Sequence, residues 1–194
     1  MKTVRSRREE ILDTALDIIS SSGIQRLTVK NLARALKVTE PALYRHFTSK
    51  RDLLYSLIVM YGDFFSGIAE KTPASGTTAI DRVGGLYREL FREFTKRPAL
   101  SMVLFTEELF RFDRQLSREV LSIIEMIHDT IEGILRNGAR RGEVRQDVPS
   151  RQMSWMVMGT MRLVVTKWRI SGYTLNLSRE GRKAFSFVKK VLAK

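Results

Sequence analysis

Residues Thr28 to Lys50 read T-V-K-N-L-A-R-A-L-K-V-T-E-P-A-L-Y-R-H-F-T-S-K. Their spacing predicts two short helices joined by a tight turn, with the start of a further helix at the end. Thr28 is an N-cap residue for the first of them, and Leu32, Ala33 and Leu36 form its inward face. Lys37-Val38 make the turn. Thr39 is the next N-cap, followed by Glu40 and Pro41 in a first turn, where an acid and a proline are both tolerated. This second helix is expected to end near His46-Phe47. Ser49 then caps a fourth helix, with Asp52 three residues on, as in a capping box.

Two short helices with so tight a turn are the helix-turn-helix plan. Leu43 and Phe47 lie one turn apart and can pack inward. Glu40, Ala42, Tyr44, Arg45 and His46 are then left outward or at the edges, where such a helix meets a major groove. Thr28, at a helix N-terminus, offers a hydroxyl and backbone N–H groups to a phosphate. Lys50 stands in a first helical turn, where the dipole disfavours cations; a bound phosphate explains that placement.

Working outward, the pattern stays helical. Ile11, Leu12, Ala15, Leu16 and Ile19 give a first helix over about Arg5–Ser22, closed by Gly23. The fourth helix carries a broad apolar stripe from Leu53 to Ile68. The loop at 72–77 is the clearest break. Further helices are expected over Ile80–Phe94, Leu100–Phe112, Gln115–Arg141, Pro149–Ser171 and Arg179–Leu192. The expected fold is therefore all-α with about nine helices: a three-helix head at 1–50, and a helical body at 51–194 with the fourth helix as connector.

Composition agrees with a DNA partner without locating it. The chain has 194 residues, 34 Lys/Arg against 21 Asp/Glu, a net charge of +13 and no cysteine. Such a balance favours a polyanion. Residues 1–50 hold ten Lys/Arg against five acids, or +5, so most of the excess lies in the body. The absence of cysteine excludes disulfides and thiolate metal sites and suits a reducing cytosol. Charges interrupt the apolar runs, so no membrane span is expected and the protein is placed in the cytoplasm, with the nucleoid. Two distant histidines, no glycine-rich phosphate loop and no metal-ligand cluster such as H-E-x-x-H argue against an enzyme, a cofactor or a metal.

At Ala42–Lys50, A-L-Y-R-H-F-T-S-K, preceded by L-T-V-K-N-L-A-R-A-L-K-V, the chain resembles the TetR-like repressors over about its first 55 residues. The resemblance implies phosphate contacts from Tyr44, His46 and Lys50, helped by Thr28. It places Glu40 and Ala42 at base-facing positions, with Lys30, Pro41 and Arg45 beside them. Taken singly, Tyr44 reads as a core aromatic and His46 as a surface histidine. At this joint spacing they read as a DNA face. Two positions depart from the pattern: Lys37 stands where many members have glycine, and Glu40 is an unusual reader that would accept from cytosine N4.

The resemblance also implies a homodimer that binds a near-palindromic double-stranded operator and is released by a ligand. The eighth helix is apolar nearly all round, so it must be buried on more than one side. Trp155, Val165 and Trp168, with Phe185, Val188 and Leu192 of the ninth helix, are the expected dimer contacts. The expected ligand is small and mostly apolar. Its candidate walls are Tyr61, Phe64, Phe65, Leu90 and Phe94, then Met102 and Phe105, then His128, Ile131, Met158 and Met161. For each of these, plain core is the competing reading. Arg7 to Leu12, Glu40 to Lys50 and Arg97 to Leu116 also resemble the nucleoid occlusion factors, DNA binders of the same kind that restrain the division protein FtsZ.

Overall fold

In the computed structural model of the chain, residues 6–71, 78–104 and 113–194 are described. Among them are nine α-helices and no strand: α1 Arg7–Ser22, α2 Val29–Leu36, α3 Glu40–Tyr44, α4 Lys50–Lys71, α5 Ala79–Lys96, α6 Pro98–Leu104, α7 Arg114–Arg140, α8 Ser150–Ile170 and α9 Leu177–Leu192. A 3-10 turn, Ile24–Arg26, links α1 to α2. The expected all-α class is what is found.

Several helix ends differ from expectation, and the caps explain where they fall. α1 starts at Arg7 because Ser6 and Glu9 form a capping box: the Glu9 N–H donates to Ser6 Oγ at 3.2 Å, and the Ser6 N–H to the Glu9 carboxylate at 2.7 Å. α9 starts at Leu177, earlier than Arg179, because Asn176 Oδ1 accepts from the Arg179 N–H at 2.9 Å. α3 stops at Tyr44, short of His46. α6 begins at Pro98, a residue preorganised for a first turn. The rest of the helix expected there, at 105–112, lies outside the described residues.

Compactness divides the chain differently from the expected break at residue 50. One unit is Met1–Tyr61 with Arg97–Val120, and the other is Gly62–Lys96 with Leu121–Lys194. The reason is that α6 and the start of α7 pack with the head. α6 lies against α1. The Arg51 guanidinium pairs with Asp113 at 2.7 Å and donates to Gln115 at 2.7 Å.

Within the first unit, Ile11, Ala15 and Ile19 of α1 are fully buried, with Leu27, Leu32, Leu43, Phe47 and Leu57 around them. The Arg8 guanidinium lies 4.9 Å above the Phe47 ring and donates to Ser56 Oγ at 2.7 Å. One cation thus ties α1, the segment after α3 and α4 together. α4 alone among the described helices is long and apolar enough to cross a membrane. Leu57, Ile58 and Phe65 on it are fully buried inside the protein, as in a core helix.

The second unit is built on α5 and α9, with α8 packed on α9. Val83, Leu86, Tyr87, Leu90, Phe91 and Phe94 give α5 its buried face. Tyr87 stacks edge-on to Phe91 and donates its hydroxyl to the Val157 carbonyl of α8 at 2.5 Å. The start of α5 is held by Glu143, whose carboxylate accepts from the Ala79 N–H at 2.7 Å and pairs with Arg141 at 2.8 Å. Both contacts hold the Glu143 carboxyl below its ordinary pKa, the Arg141 hydrogen bond most of all.

Candidate nucleic-acid interface

Thr28 caps α2 as expected: its Oγ1 accepts from the Asn31 N–H at 3.1 Å. At the other end, Lys37 takes φ 55°, ψ 41°, a left-handed conformation. Its N–H bonds the Arg34 carbonyl at 3.2 Å, and the Val38 N–H bonds Ala33 at 3.0 Å. These are the two bonds of a Schellman motif, so the turn forms in its ordinary geometry and the strain falls on Lys37. The unusual lysine is thus met by a positive φ rather than by a shifted turn. The same geometry leaves the Lys37 side chain exposed.

α3 is pinned by Leu43 and Phe47, both buried. Glu40, Pro41, Arg45 and His46 are exposed, Ala42 is half-buried, and the Tyr44 ring is 49% exposed. The core reading of Tyr44 is therefore wrong in this fold, and that of Phe47 is right. Lys30 is exposed on α2. Lys50 and Thr28 line one cavity of about 20 Å³ beside the α2 N-terminus. Lys50 Nζ donates to the Ile24 carbonyl at 3.4 Å, and partial burial lowers its pKa from the ordinary lysine value. The fold thus brings the start of α2, the exposed side of α3 and the first residue of α4 onto one compact unit.

The structure adds Thr39 to this face. Its position is that of an N-cap, yet its hydroxyl makes no cap bond. The signal is Pro41: a cap accepts from the second or third N–H of the helix, proline at the second position has none, and the third, of Ala42, donates to the Thr39 carbonyl at 3.0 Å. Thr39 is exposed at the head of α3.

The expected ligand walls are mostly buried or half-buried. Tyr61 and half-buried Met102 belong to the first unit. In the second, Phe65, Leu90, Phe94, Ile131 and Met161 are buried, whereas Phe64 and Met158 are half-buried. Phe105 lies outside the described residues. His128 is buried but turns toward the first turn of α8, with Nε2 3.3 Å from the Arg151 carbonyl.

The expected dimer contacts differ in their exposure on the single chain. Val165, Trp168, Val188 and Leu192 are buried inside the chain's own packing. Half-buried Phe185 packs against Tyr87, with ring centroids 5.3 Å apart. Of the six, only Trp155 faces out, 60% exposed. The exposed large apolar residues of α8 are Trp155, Leu163 (60% exposed) and Ile170 (82%), and that of α9 is Phe187 (59%).

Comparison with known proteins agrees with this geometry. Residues 11–57 match the family described as bacterial regulatory proteins, tetR family. Residues 60–190 match the C-terminal region of YsiA-like proteins. The chain is 25% identical over 168 residues to the fatty acid metabolism regulator protein of Bacillus subtilis, covering 87% of this chain and 86% of that one. It is 26% identical over 148 residues to the nucleoid occlusion factor SlmA of Actinobacillus pleuropneumoniae, covering 75% and 73%. The solved structure of the regulator FadR from Bacillus subtilis with stearoyl-CoA shares its fold, with a TM-score of 0.82, 21% identity, and 96% and 100% of the two chains covered.

Proposed function

This chain belongs to the tetR family of bacterial regulatory proteins, and from that premise we propose that it is a dimeric repressor released from its operator by a long-chain acyl-CoA. The family is one of DNA-binding transcription regulators, not of enzymes. The observation that carries the DNA-binding role here is the head. Tyr44, Arg45 and His46 are exposed at the end of α3, and Thr28 and Lys50 meet at the start of α2. Phosphate contacts from Thr28, Lys37, Thr39, Tyr44, His46 and Lys50 fix register. Glu40, Pro41, Ala42 and Arg45 face bases, with Lys30 at the edge.

A short reading helix contacts few base pairs, so specificity calls for two heads on a near-palindrome. The face that supports a two-fold partner is Trp155, Leu163, Ile170 and Phe187. Such apolar exposure on two helices that pack together supports an interaction surface. With DNA as its partner, the protein is placed with the nucleoid in the cytoplasm.

The acyl-CoA reading is supported by likeness to a fatty acid metabolism regulator and to a structure holding stearoyl-CoA. A basic chain rich in Met and Phe suits a ligand with an apolar tail and an anionic head. Two ligand affinities for two head spacings would suffice for release, and the coupling is limited by their difference.

The test is a gel-shift titration on DNA upstream of the chain's own gene. Stearoyl-CoA should release the DNA while free CoA does not. DNA binding that stearoyl-CoA leaves unchanged removes the ligand assignment and spares the DNA-binding one. The likeness to SlmA supports a second reading, dispersed chromosomal binding. Genome-wide occupancy separates the two, since a repressor occupies a few promoters.

A further inference from the structure

We propose that Glu125, His128 and Asp129 of α7 form a site for one divalent first-row transition ion, with zinc the ion that fits the donors best. The three stand at i, i+3 and i+4, on one face of the helix. Each presents one ligand atom, and these atoms lie within 4.8 Å of one another.

The buried histidine is the independent sign. His128 is 2% exposed. Its Nε2 lies 3.3 Å from the Arg151 carbonyl, which can only accept, so Nε2 carries a hydrogen and the neutral imidazole keeps its lone pair on Nδ1. Nδ1 is buried, has no hydrogen-bond partner and points to the Asp129 carboxylate at 3.6 Å. Two lone-pair donors face each other, and a buried polar atom without a partner is costly. A cation between them satisfies both. An imidazole whose other nitrogen donates to a backbone carbonyl is also the arrangement that holds a metal-binding histidine in place.

The carboxylates stand at the surface, where they can turn onto an ion. The Glu125 and Asp129 side chains are exposed, whereas the buried His128 is fixed. Arg151 lies 3.7 Å from each of these carboxylates and closer, 3.2 Å, to Glu132. The ion replaces the two longer pairs and leaves the shorter one. One imidazole and two carboxylates suit zinc, cobalt or nickel over calcium or magnesium, with water in the remaining positions. The site leaves little mark in the sequence, where E-M-I-H-D carries a single histidine.

Zinc titration of the chelator-treated full chain by calorimetry, with magnesium as control, tests this. Trp155, whose ring centroid is 5.9 Å from that of His128, gives an optical readout. One zinc ion per chain should bind with a change in Trp fluorescence that W155F abolishes. H128A should lose more than about tenfold in affinity, the lower end of what even an outer-shell partner costs. The double variant E125Q/D129N alters only exposed groups and should lose as much, so the test survives a misfolded H128A. No zinc binding to the full chain, or full-strength binding in E125Q/D129N, overturns the site.

Discussion

Gly181 of α9 lies against the ring of Phe91 on α5 so closely that a Cβ at Gly181 would sit 2.1 Å from Phe91 Cδ2. The relationship is reciprocated elsewhere on the same pair of helices, where a Cβ on Gly84 of α5 would sit 2.6 Å from Phe185 of α9. Each helix yields a glycine to the other's aromatic ring. Gly181→Ala is therefore expected to destabilise by about 1–3 kcal/mol, the usual cost of overpacking, despite the better helix propensity of alanine. Gly133→Ala on α7 is the control, since nothing lies within 4 Å of its Cβ. It should stabilise by up to about 1 kcal/mol. Urea melts of the two variants check both, and a neutral Gly181→Ala would contradict the packing.

Lys37→Gly should stabilise the head. A residue with a Cβ pays roughly 1–2 kcal/mol in the left-handed region that Lys37 occupies. Glycine relieves that strain but frees the unfolded chain by about 0.4–1 kcal/mol. The net gain is on the order of 1 kcal/mol or less. Lys37→Ala, which keeps the strain, should gain nothing. Both variants remove one exposed cation. If Lys37 contacts phosphate, both should lower the salt slope of DNA binding by about one. Equal stability of the Gly and Ala variants would count against the strain.

The head was legible because its signals are local. Thr28, the Lys37 turn, Ser49 and the Leu43/Phe47 pair act within a few residues of themselves, so spacing alone finds them. α8 was not legible in the same way. It is apolar on nearly every side, which reveals that it is buried but not which side faces the chain's own core. Val165 and Trp168 lie inside, Leu163 and Ile170 outside. His128 interrupts the apolar stripe of α7 in the sequence, but its partner Arg151 is 23 residues away and only the fold supplies it. The first compact unit likewise contains the Arg51–Asp113 pair, which no local pattern announces.

Tyr87 makes stability sensitive to alkali. Burial raises its pKa well above the ordinary phenol value of 10.0. The folded state keeps the proton that the unfolded state loses. Its contribution is thus complete below about pH 10 and declines above it by about 1.4 kcal/mol per pH unit. Tyr61 shifts the same way, also by burial. Tyr87→Phe should cost about 1 kcal/mol at neutral pH, from the missing bond to Val157, and make the decline above about pH 10 shallower by one tyrosine's share. Denaturant melts from about pH 8 to about pH 11, spanning the ordinary phenol pKa, measure it. An unchanged slope would rule Tyr87 out as the sensor.

Leu163→Asp should separate dimerisation from folding. Leu163 is 60% exposed on α8 and serves no core that would collapse without it. A carboxylate there, mirrored across a two-fold axis, places like charges in an apolar contact. Sedimentation should then show a monomer with unchanged helical content. A dimer that persists would move the interface elsewhere. The monomer should bind a single half-site weakly.

Lys50→Ala and Tyr44→Ala probe the head itself. Both side chains are exposed, so the fold should survive the truncations. Lys50 stands at the first residue of α4, where its charge opposes the helix dipole and where burial already disfavours the ammonium. Both penalties turn to advantage beside a phosphate. Each substitution should weaken operator binding by roughly 1–3 kcal/mol, and Lys50→Ala should lower the salt slope by about one. Lys50→Ala should also leave thermal stability unchanged or higher, because it removes a partly desolvated charge from the folded state. A variant that binds operator with unchanged affinity and slope, while still folded and dimeric, would take Lys50 out of the interface and leave its position at the start of α4 without a reason.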